Sequence, residues 1–439
     1  MKIFFKPHFC LRYVSICFIL LFTQAALAQA VNTEQGDIFD QAISRNLDFI
    51  QKRVNRENVN QTNVRGRSLL YYAVLGGGEA IPKFLLEKGA DPNLGADVGS
   101  LPLNIAIEHN NQKLIKLLLE HGADPSRKLK QEWVDWTPLH FAVFYMRHDA
   151  LEILLKYNPD INAQEEQGHT ALIKSIIRGN YATIKSLVDA GADIELASKD
   201  QLSPIMWALA YGDKPVVDLL QSKGANINPP NADDGVSALM LSAKHGYLEI
   251  AKQQIRLGSK IDHQSNTGRT PLLLAIEHKR SEMVTFLLDM GASVSLGDND
   301  GLTPLLMASK SDDLNMVKLL ISKGIDVNHV NKLNQTALFY VSGSSIISDK
   351  VMQGASIVDY LLSKGIDIDH QDSEGRTALI DASDSSDSVI VTSLIKHGAN
   401  PVLKDKSGHK ALYYLKGRVL AKGSDDLLEK YEQEYVTSR

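Results

Sequence analysis

Thirteen histidines are the side chains of this 439-residue chain best suited to chemistry, either as metal ligands or as proton-transfer groups. His109, His245 and His278 recur at the same position of a repeated motif, in copies that are far apart in sequence. A metal site needs several ligands that converge on one ion at about 2 Å, and this spacing gives no such convergence. We therefore expect no metal site, and histidines that are solvated or lie at an interface.

Sequence motifs that cradle phosphate or activate a nucleophile are absent. The patterns G-x-x-x-x-G-K-[ST], H-E-x-x-H, G-x-S-x-G and G-x-G-x-x-G do not occur in the chain. The run Gly76-Gly77-Gly78 follows no strand, so it indicates a turn rather than a phosphate loop. The acidic pairs Asp233-Asp234 and Asp425-Asp426 indicate solvated loop charges. We expect no catalytic residues and no cofactor, and the chain is not expected to be an enzyme.

Residues 1–28 have the features of a cleaved signal peptide. A positively charged start precedes an apolar run, and Ala26 and Ala28 form a small-residue cleavage signal. The alternative is an uncleaved anchor, but the run is shorter than the about 20 residues that span a bilayer. Cleavage would remove both cysteines and three basic residues, leaving a formal charge of −8. The processed chain is then expected in a bacterial periplasm, or secreted, with no membrane span.

The rest of the chain is self-similar with a period near 33 residues. The phrase Thr137-Pro138-Leu139-His140 returns as Thr270-Pro271-Leu272-Leu273 and as Thr303-Pro304-Leu305-Leu306. Weaker copies begin at Ser68, Leu101, Thr170, Ser203, Ser237, Thr336, Thr377 and Lys410. Each copy predicts a short helix capped by Thr or Ser, a turn, an apolar second helix and a closing Gly in the left-handed conformation.

This pattern resembles the ankyrin repeat. The resemblance implies an all-α solenoid of about eleven helix-turn-helix repeats with β-turn tips. We expect an N-terminal capping repeat at residues 36–64, the array at 65–417, and a C-terminal capping helix and tail at 418–439. It further implies a structural role for His140, and a concave surface that binds a partner protein. We expect a monomer that binds no nucleic acid, because an acidic chain lacks the charge to neutralise phosphates.

Two copies carry insertions. The third is preceded by three extra residues within 126–136 and closes on Asn158, which tolerates the left-handed conformation. The ninth carries about eight extra residues near 343–356, which predicts a longer loop between its two helices. Insertions in solenoids often mark the binding face, so this loop is a second candidate binding element.

By the resemblance, the exposed positions of each copy lie just before the Thr and seven to eight residues after it. In the third to fifth copies these positions hold side chains typical of interface hot spots. The predicted partner-binding residues are Trp133, Trp136, Phe144, Tyr145, Ile177, Arg178 and Tyr211. The alternative is that Trp136 packs over its own turn, while Phe144 and Tyr145 fill the groove beside the irregular loop.

The function expected from these features is a non-catalytic scaffold that binds a partner protein in the periplasm. One narrower role is an immunity or inhibitor protein that neutralises a toxic, secreted effector enzyme. A charge of −8 would speed the encounter with a basic enzyme. Another is an envelope scaffold that supports oxidative-stress defence. Neighbouring genes, for a toxin or for a catalase, would distinguish the two.

Overall fold

The structure is a computed structural model that describes residues 38–95, 101–131, 134–341, 348–416 and 424–438. It divides into two compact units, with the boundary between Asp160 and Ile161. The described residues form 24 helices and one two-stranded sheet. The predicted cleavage residues Ala26 and Ala28 and the predicted binding residue Trp133 lie outside the described residues.

Helices occur in pairs, and each pair consists of a first helix, a turn and a second helix. The first unit contains α1 (Ile38–Ile43), α2 (Leu47–Arg53), α3 (Leu69–Leu75), α4 (Ala80–Glu87), α5 (Pro102–Glu108), α6 (Gln112–Glu120), β1 (Leu129–Gln131), β2 (Val134–Trp136), α7 (Pro138–Phe144) and α8 (His148–Leu155). Within this unit the first helices α1, α3, α5 and α7 pack side by side in chain order.

The second unit continues the same arrangement. It contains α9 (Ala171–Arg178), α10 (Tyr181–Asp189), α11 (Pro204–Tyr211), α12 (Lys214–Ser222), α13 (Ala238–His245), α14 (Leu248–Arg256), α15 (Pro271–Glu277), α16 (Ser281–Asp289), α17 (Pro304–Lys310), α18 (Leu314–Ser322), α19 (Ala337–Val341), α20 (Ser348–Ser363), α21 (Ala378–Asp384), α22 (Ser388–Lys396), α23 (Ala411–Leu415) and α24 (Ser424–Thr437). Its first helices, from α9 to α23, also pack side by side in chain order. The predicted ankyrin-type solenoid is thereby confirmed.

Several first helices are capped by the hydroxyl side chain that precedes them. The side chain of Ser68 accepts the N–H of Tyr71 at 3.1 Å, and that of Thr170 accepts the N–H of Ile173 at 3.2 Å. These bonds satisfy donors that the first turn of a helix otherwise leaves open. A small residue at the sixth position then allows close packing of neighbouring helices. The seven alanines at this position are at most 2% exposed: Ala73, Ala106, Ala142, Ala208, Ala275, Ala308 and Ala382.

Neighbouring repeats are joined by a loop clasp, in which a loop side chain bonds to the backbone of the next repeat. Asn93 donates its Nδ2 to the carbonyl of Gly122 at 2.8 Å and accepts the N–H of Asp124 at 2.8 Å. The second bond spans 31 residues, and the same separation recurs in most repeats of both units. The clasp therefore fixes where each repeat sits on the one before it.

The insertion before the third copy forms a short β-hairpin, a local addition to the predicted all-α solenoid. Strands β1 and β2 are antiparallel, with Leu129 opposite Trp136. Both of these side chains are buried, and Lys128 pairs with Asp135 at 3.0 Å. The alternation of a strand places the two apolar side chains on one face, so the extra residues contribute to the core instead of forming an irregular loop.

The insertion in the ninth copy is helical from Ser348 onward, so the longer loop predicted near 343–356 is wrong for that part. Helix α20 has 16 residues, whereas α18 has nine. Ile357 and Leu361 of α20 are fully buried, which holds the extended helix against its neighbours. Residues 342–347 lie outside the described residues.

The last helix, α24, packs on α22 and α23 with Leu428 buried. Lys410, just before α23, pairs with Glu432 of α24 at 2.6 Å. No helix among the described residues has the length and apolar character needed to cross a membrane.

Candidate functional site

The aromatic residues predicted for partner binding in the third repeat form a packed cluster. Trp136 is only 4% exposed, so its side chain is not available as a binding surface and the prediction that it is exposed is wrong. Its ring contacts Phe141 at 5.4 Å and Phe144 at 4.9 Å between centroids. The hairpin causes this burial, because strand β2 directs Trp136 onto α7.

Phe144 and Tyr145 are half-buried, and their rings meet edge to face at 5.1 Å. Tyr145 also stacks on Phe141 at 6.4 Å. These two residues therefore pack mainly within their own repeat, in line with the alternative that they fill the groove beside the insertion. The third repeat leaves a smaller aromatic surface than the sequence predicts.

His140 has the structural role that the resemblance implies. Its side chain is fully buried, and its Nδ1 lies 2.8 Å from Oγ1 of Thr137 and 3.2 Å from the backbone nitrogen of Thr137. Together the two residues close a reciprocal cap at the start of α7.

The predicted residues of the second unit lie at the C-terminal ends of two neighbouring first helices. Ile177 and Arg178 end α9, where Ile177 is half-buried and Arg178 is exposed. Tyr211 ends α11 and is 51% exposed. Because α9 and α11 pack side by side, these three side chains belong to one surface. Of the predicted residues that the structure describes, Arg178 and Tyr211 are the exposed ones.

Tyr211 is held in place by a buried residue beneath it. Its ring stacks on that of Trp207 at 6.0 Å and 20°. Trp207 in turn donates its Nε1 to Oγ of Ser198 at 3.3 Å and meets the ring of His169 at 5.4 Å. The exposed tyrosine is therefore a pre-positioned aromatic group rather than a freely rotating one.

A buried charged cluster lies behind this aromatic pair. Oε1 of Glu165 is 2.9 Å from Nδ1 of His169, and Oε2 is 3.6 Å from Nζ of Lys174. Glu165 also accepts the backbone N–H of Gln167 at 3.1 Å. All three side chains of the cluster are at most 7% exposed, so their contacts are shielded from solvent.

The two charged partners have shifted pKa values. Burial acts to raise the pKa of Glu165, but the hydrogen bond from His169 and the charge of Lys174 outweigh it and lower the pKa to about 2. Burial lowers the pKa of Lys174 to about 8, and Glu165 opposes that shift only in part. The cluster positions side chains within the repeat and exposes no reactive group.

Sequence analysis missed Glu165 and Lys174, and the signal that could have revealed them is their separation of nine residues. Trp207 bonds to Ser198 with this separation, and Nδ2 of Asn331 donates to the hydroxyl oxygen of Tyr340 at 2.8 Å. Asn63 and Tyr72 form a further example at 2.7 Å. A polar side chain on the first helix thus recurrently ties that helix to the turn before it.

The next repeats extend this surface with basic side chains, of which Arg280 is exposed and the other three are half-buried. Lys244 and His245 end α13, and His278 and Arg280 follow the end of α15. Nε of Arg280 donates to the carbonyl of Lys244 at 3.1 Å, which joins the two repeats. Burial lowers the pKa of His245, and the charge of Lys244 lowers it further. Among the described residues no group of His, Cys, Asp or Glu is arranged to hold a metal ion.

A family model described as ankyrin repeats (3 copies) matches the chain over most of its length. The matched ranges are 27–129, 127–198, 176–257, 205–298, 239–331 and 347–416. The chain belongs to the ankyrin-repeat family. Repeat domains of this family generally act as scaffolds for protein interaction.

Several known proteins share part of this sequence. The human protein transient receptor potential cation channel subfamily A member 1 is 29% identical over 175 residues, which is 38% of this chain and 15% of that protein. Ankyrin repeat domain-containing protein 63 of Mus musculus is 32% identical over 119 residues, 25% of this chain and 30% of that protein. The putative ankyrin repeat protein FPV034 of fowlpox virus is 25% identical over 162 residues, 37% of this chain and 38% of that protein.

The matched stretches thus span well under two thirds of these relatives. Among solved structures, the human ASB11 ankyrin repeat domain is similar with a TM-score of 0.45 and 23% identity. This similarity covers 52% of the present chain and 98% of the solved one.

Proposed function

We propose that this chain is a non-catalytic scaffold that binds a partner protein through the C-terminal ends of α9, α11 and α13. The observation that supports this most directly is Tyr211, which is 51% exposed and yet stacked on a buried tryptophan. An aromatic side chain that is already held in place loses little conformational freedom on binding. Tyrosine and arginine are also enriched among interface hot spots, and Arg178 lies on the neighbouring helix end.

The binding is proposed to take place in the periplasm, with secretion as the alternative. The support is the signal-peptide pattern of residues 1–28. Expression with a C-terminal tag followed by cell fractionation tests it. Processed protein in the periplasmic fraction, beginning at Gln29, is the expected result, and a full-length cytoplasmic product would contradict it.

A narrower form of the same function is inhibition of a toxic effector enzyme. The formal charge of −8 expected for the processed chain favours it, since that charge would attract a basic enzyme. A strain that lacks the gene should then be killed by neighbouring cells that deliver the effector. Survival equal to that of the parent strain would argue against this role.

The test of the scaffold function is affinity capture with residues 29–439 as bait. The variant Arg178→Ala/Tyr211→Ala removes the proposed surface. The matched control is Tyr413→Ala, because Tyr413 is a tyrosine of similar exposure, 58%, in the last repeat of the same unit. A protein retained by the wild type and the control, and lost by the double variant, is expected. Equal retention by all three baits would contradict this surface.

A further inference from the structure

Four basic side chains from two successive repeats meet at the ends of α13 and α15. We call Lys244, His245, His278 and Arg280 the basic patch. Nε of Arg280 bonds to the carbonyl of Lys244 at 3.1 Å, and the Arg280 stem crosses the turn at Gly246, where a Cβ would lie 3.2 Å from its Cδ. Lys244, His278 and Arg280 all lie near enough to His245 to lower its pKa electrostatically.

The basic patch is continuous with Tyr211 on the preceding repeat. Nε2 of His245 lies 3.2 Å from the carbonyl oxygen of Ala210. Its Nδ1 lies 2.6 Å from the point where a Cβ would stand on Gly212, which has a φ of +72°. The imidazole therefore packs directly against the turn that follows Tyr211, and the position requires glycine for both space and backbone conformation.

The acidic groups around the patch are already engaged. Oε2 of Glu277 lies 2.9 Å from Nη1 of Arg269, whose Nε also pairs with Asp298 at 3.3 Å. Asp213, on the turn after Tyr211, accepts the N–H of Val216 and so caps α12. Burial lowers the pKa of Lys244, but Glu277 nonetheless lies near enough to oppose that shift, so it offsets part of the positive charge of the patch.

The helix dipole accounts for only part of this arrangement. A cation at a helix C-terminus is stabilised by the partial negative charge there, which explains Lys244 or His245 on α13. It does not explain why basic groups of two repeats are held side by side, since like charges at close range repel each other. Such a patch gains stability when an anionic ligand covers it.

We propose that the basic patch and Tyr211 together bind an acidic segment of the partner protein, with an apolar or aromatic side chain of that segment packed on Tyr211. This inference rests on the proposed scaffold function and specifies the chemistry of the partner. Although the chain as a whole is acidic, its local charge at this surface is positive, and local charge determines which segment docks.

The test uses a defined probe, a short fluorescein-labelled peptide of Asp and Glu with a central Tyr, and measures its anisotropy with residues 29–439. The variant Lys244→Glu/Arg280→Glu reverses two charges of the patch. Lys244→Gln/Arg280→Gln is a milder second variant in case the reversal unfolds the repeat. The matched control is Lys396→Glu/Lys404→Glu, which reverses two exposed lysines in later repeats. Circular dichroism confirms that each variant stays helical.

We expect the charge reversal to weaken binding of the acidic peptide about tenfold or more. The loss of two surface ion pairs, each worth about 0.7 kcal/mol, corresponds to that factor in affinity. The control should change it less than about twofold, and the wild-type affinity should fall with added salt. The proposal would be overturned if the wild type did not bind the peptide, or if the charge-reversal variant and the control bound it equally. Tighter binding of an oligonucleotide than of the peptide would also overturn it. If affinity capture yields a partner that the acidic peptide does not displace, the scaffold function stands and this inference fails.

Discussion

Replacing Glu165 with Gln should destabilise the repeat that contains α9, because the buried Lys174 then loses its negatively charged partner. Nζ of Lys174 and Oε2 of Glu165 are 3.6 Å apart, and both side chains are 7% exposed. At an effective dielectric constant of about 20, this attraction is about 4–5 kcal/mol. The lysine can relieve part of the loss by releasing its proton. We expect a net cost of about 3 kcal/mol, the usual range for breaking a buried pair from one side.

Lys174→Met should behave differently, since it removes the buried cation together with its desolvation cost. Glu165 keeps the bond from His169 and the backbone N–H of Gln167. The change should therefore stay within about 1 kcal/mol of wild type, and adding it to Glu165→Gln should restore most of the lost stability. Repeat arrays need not unfold in one step, so hydrogen exchange of the α9 amides is the suitable assay.

The result that refutes this reasoning is a Lys174→Met variant that is destabilised as much as Glu165→Gln. That outcome would mean that the aliphatic stem of Lys174 fills space that methionine cannot, and that charge is secondary.

Three other predictions follow from the described contacts. The pKa of Glu165 is lowered from its ordinary value of 4.5 to about 2, so this carboxylate should stabilise the fold at a pH above 4.5. That stabilisation should be lost as the pH falls from 4.5 toward 2. Urea unfolding across this range should show the loss in the wild type but not in Glu165→Gln. Because the pKa of Lys174 is lowered to about 8, stability should rise between pH 8 and 10.5, and Lys174→Met should abolish the rise. Asn158→Gly should raise the midpoint of urea unfolding by an amount equal to about 0.5 kcal/mol, since Asn158 has a φ of +49° that glycine adopts without strain; an unchanged or lower midpoint would contradict this.

The regular part of the fold follows from the sequence because each signal is local and is repeated many times. Ser68 and Thr170 cap their helices as their positions predict, and Gly179, Gly212 and Gly246 adopt positive φ at the predicted turns. A capping hydroxyl and a left-handed glycine act within one turn of the chain, so no knowledge of distant contacts is needed.

The irregular parts depend on packing across the repeat, which spacing alone does not reveal. The residues before Trp136 pair as a hairpin because both Leu129 and Trp136 can then be buried. The insertion that ends before Ile357 extends a helix because that helix finds an apolar surface to cover. In both cases the count of extra residues was predictable, whereas their conformation was set by which apolar side chains could reach the core.

The candidate site also combines residues that the repeat pattern predicts with residues whose placement depends on packing. Tyr211 is exposed at the position that the repeat pattern predicts, while Trp136 is buried by an insertion that the pattern lacks. The sequence did not reveal Lys174 as a buried residue, because a lysine on a first helix ordinarily indicates a solvated face. Its burial depends on Glu165, which precedes Lys174 by nine residues and pairs with it only in the folded repeat.

The loop clasp has a consequence for how such a chain can change over time. Between Ser126 and Asp160 the clasp spans 34 residues, and between Asn328 and Asp367 it spans 39, yet both bonds remain as short as those that span 31. The added length of each repeat lies inside the span, so the joint to the next repeat is left intact. A lineage could therefore lengthen one repeat without disturbing the next. An engineer could graft new segments at these same two places.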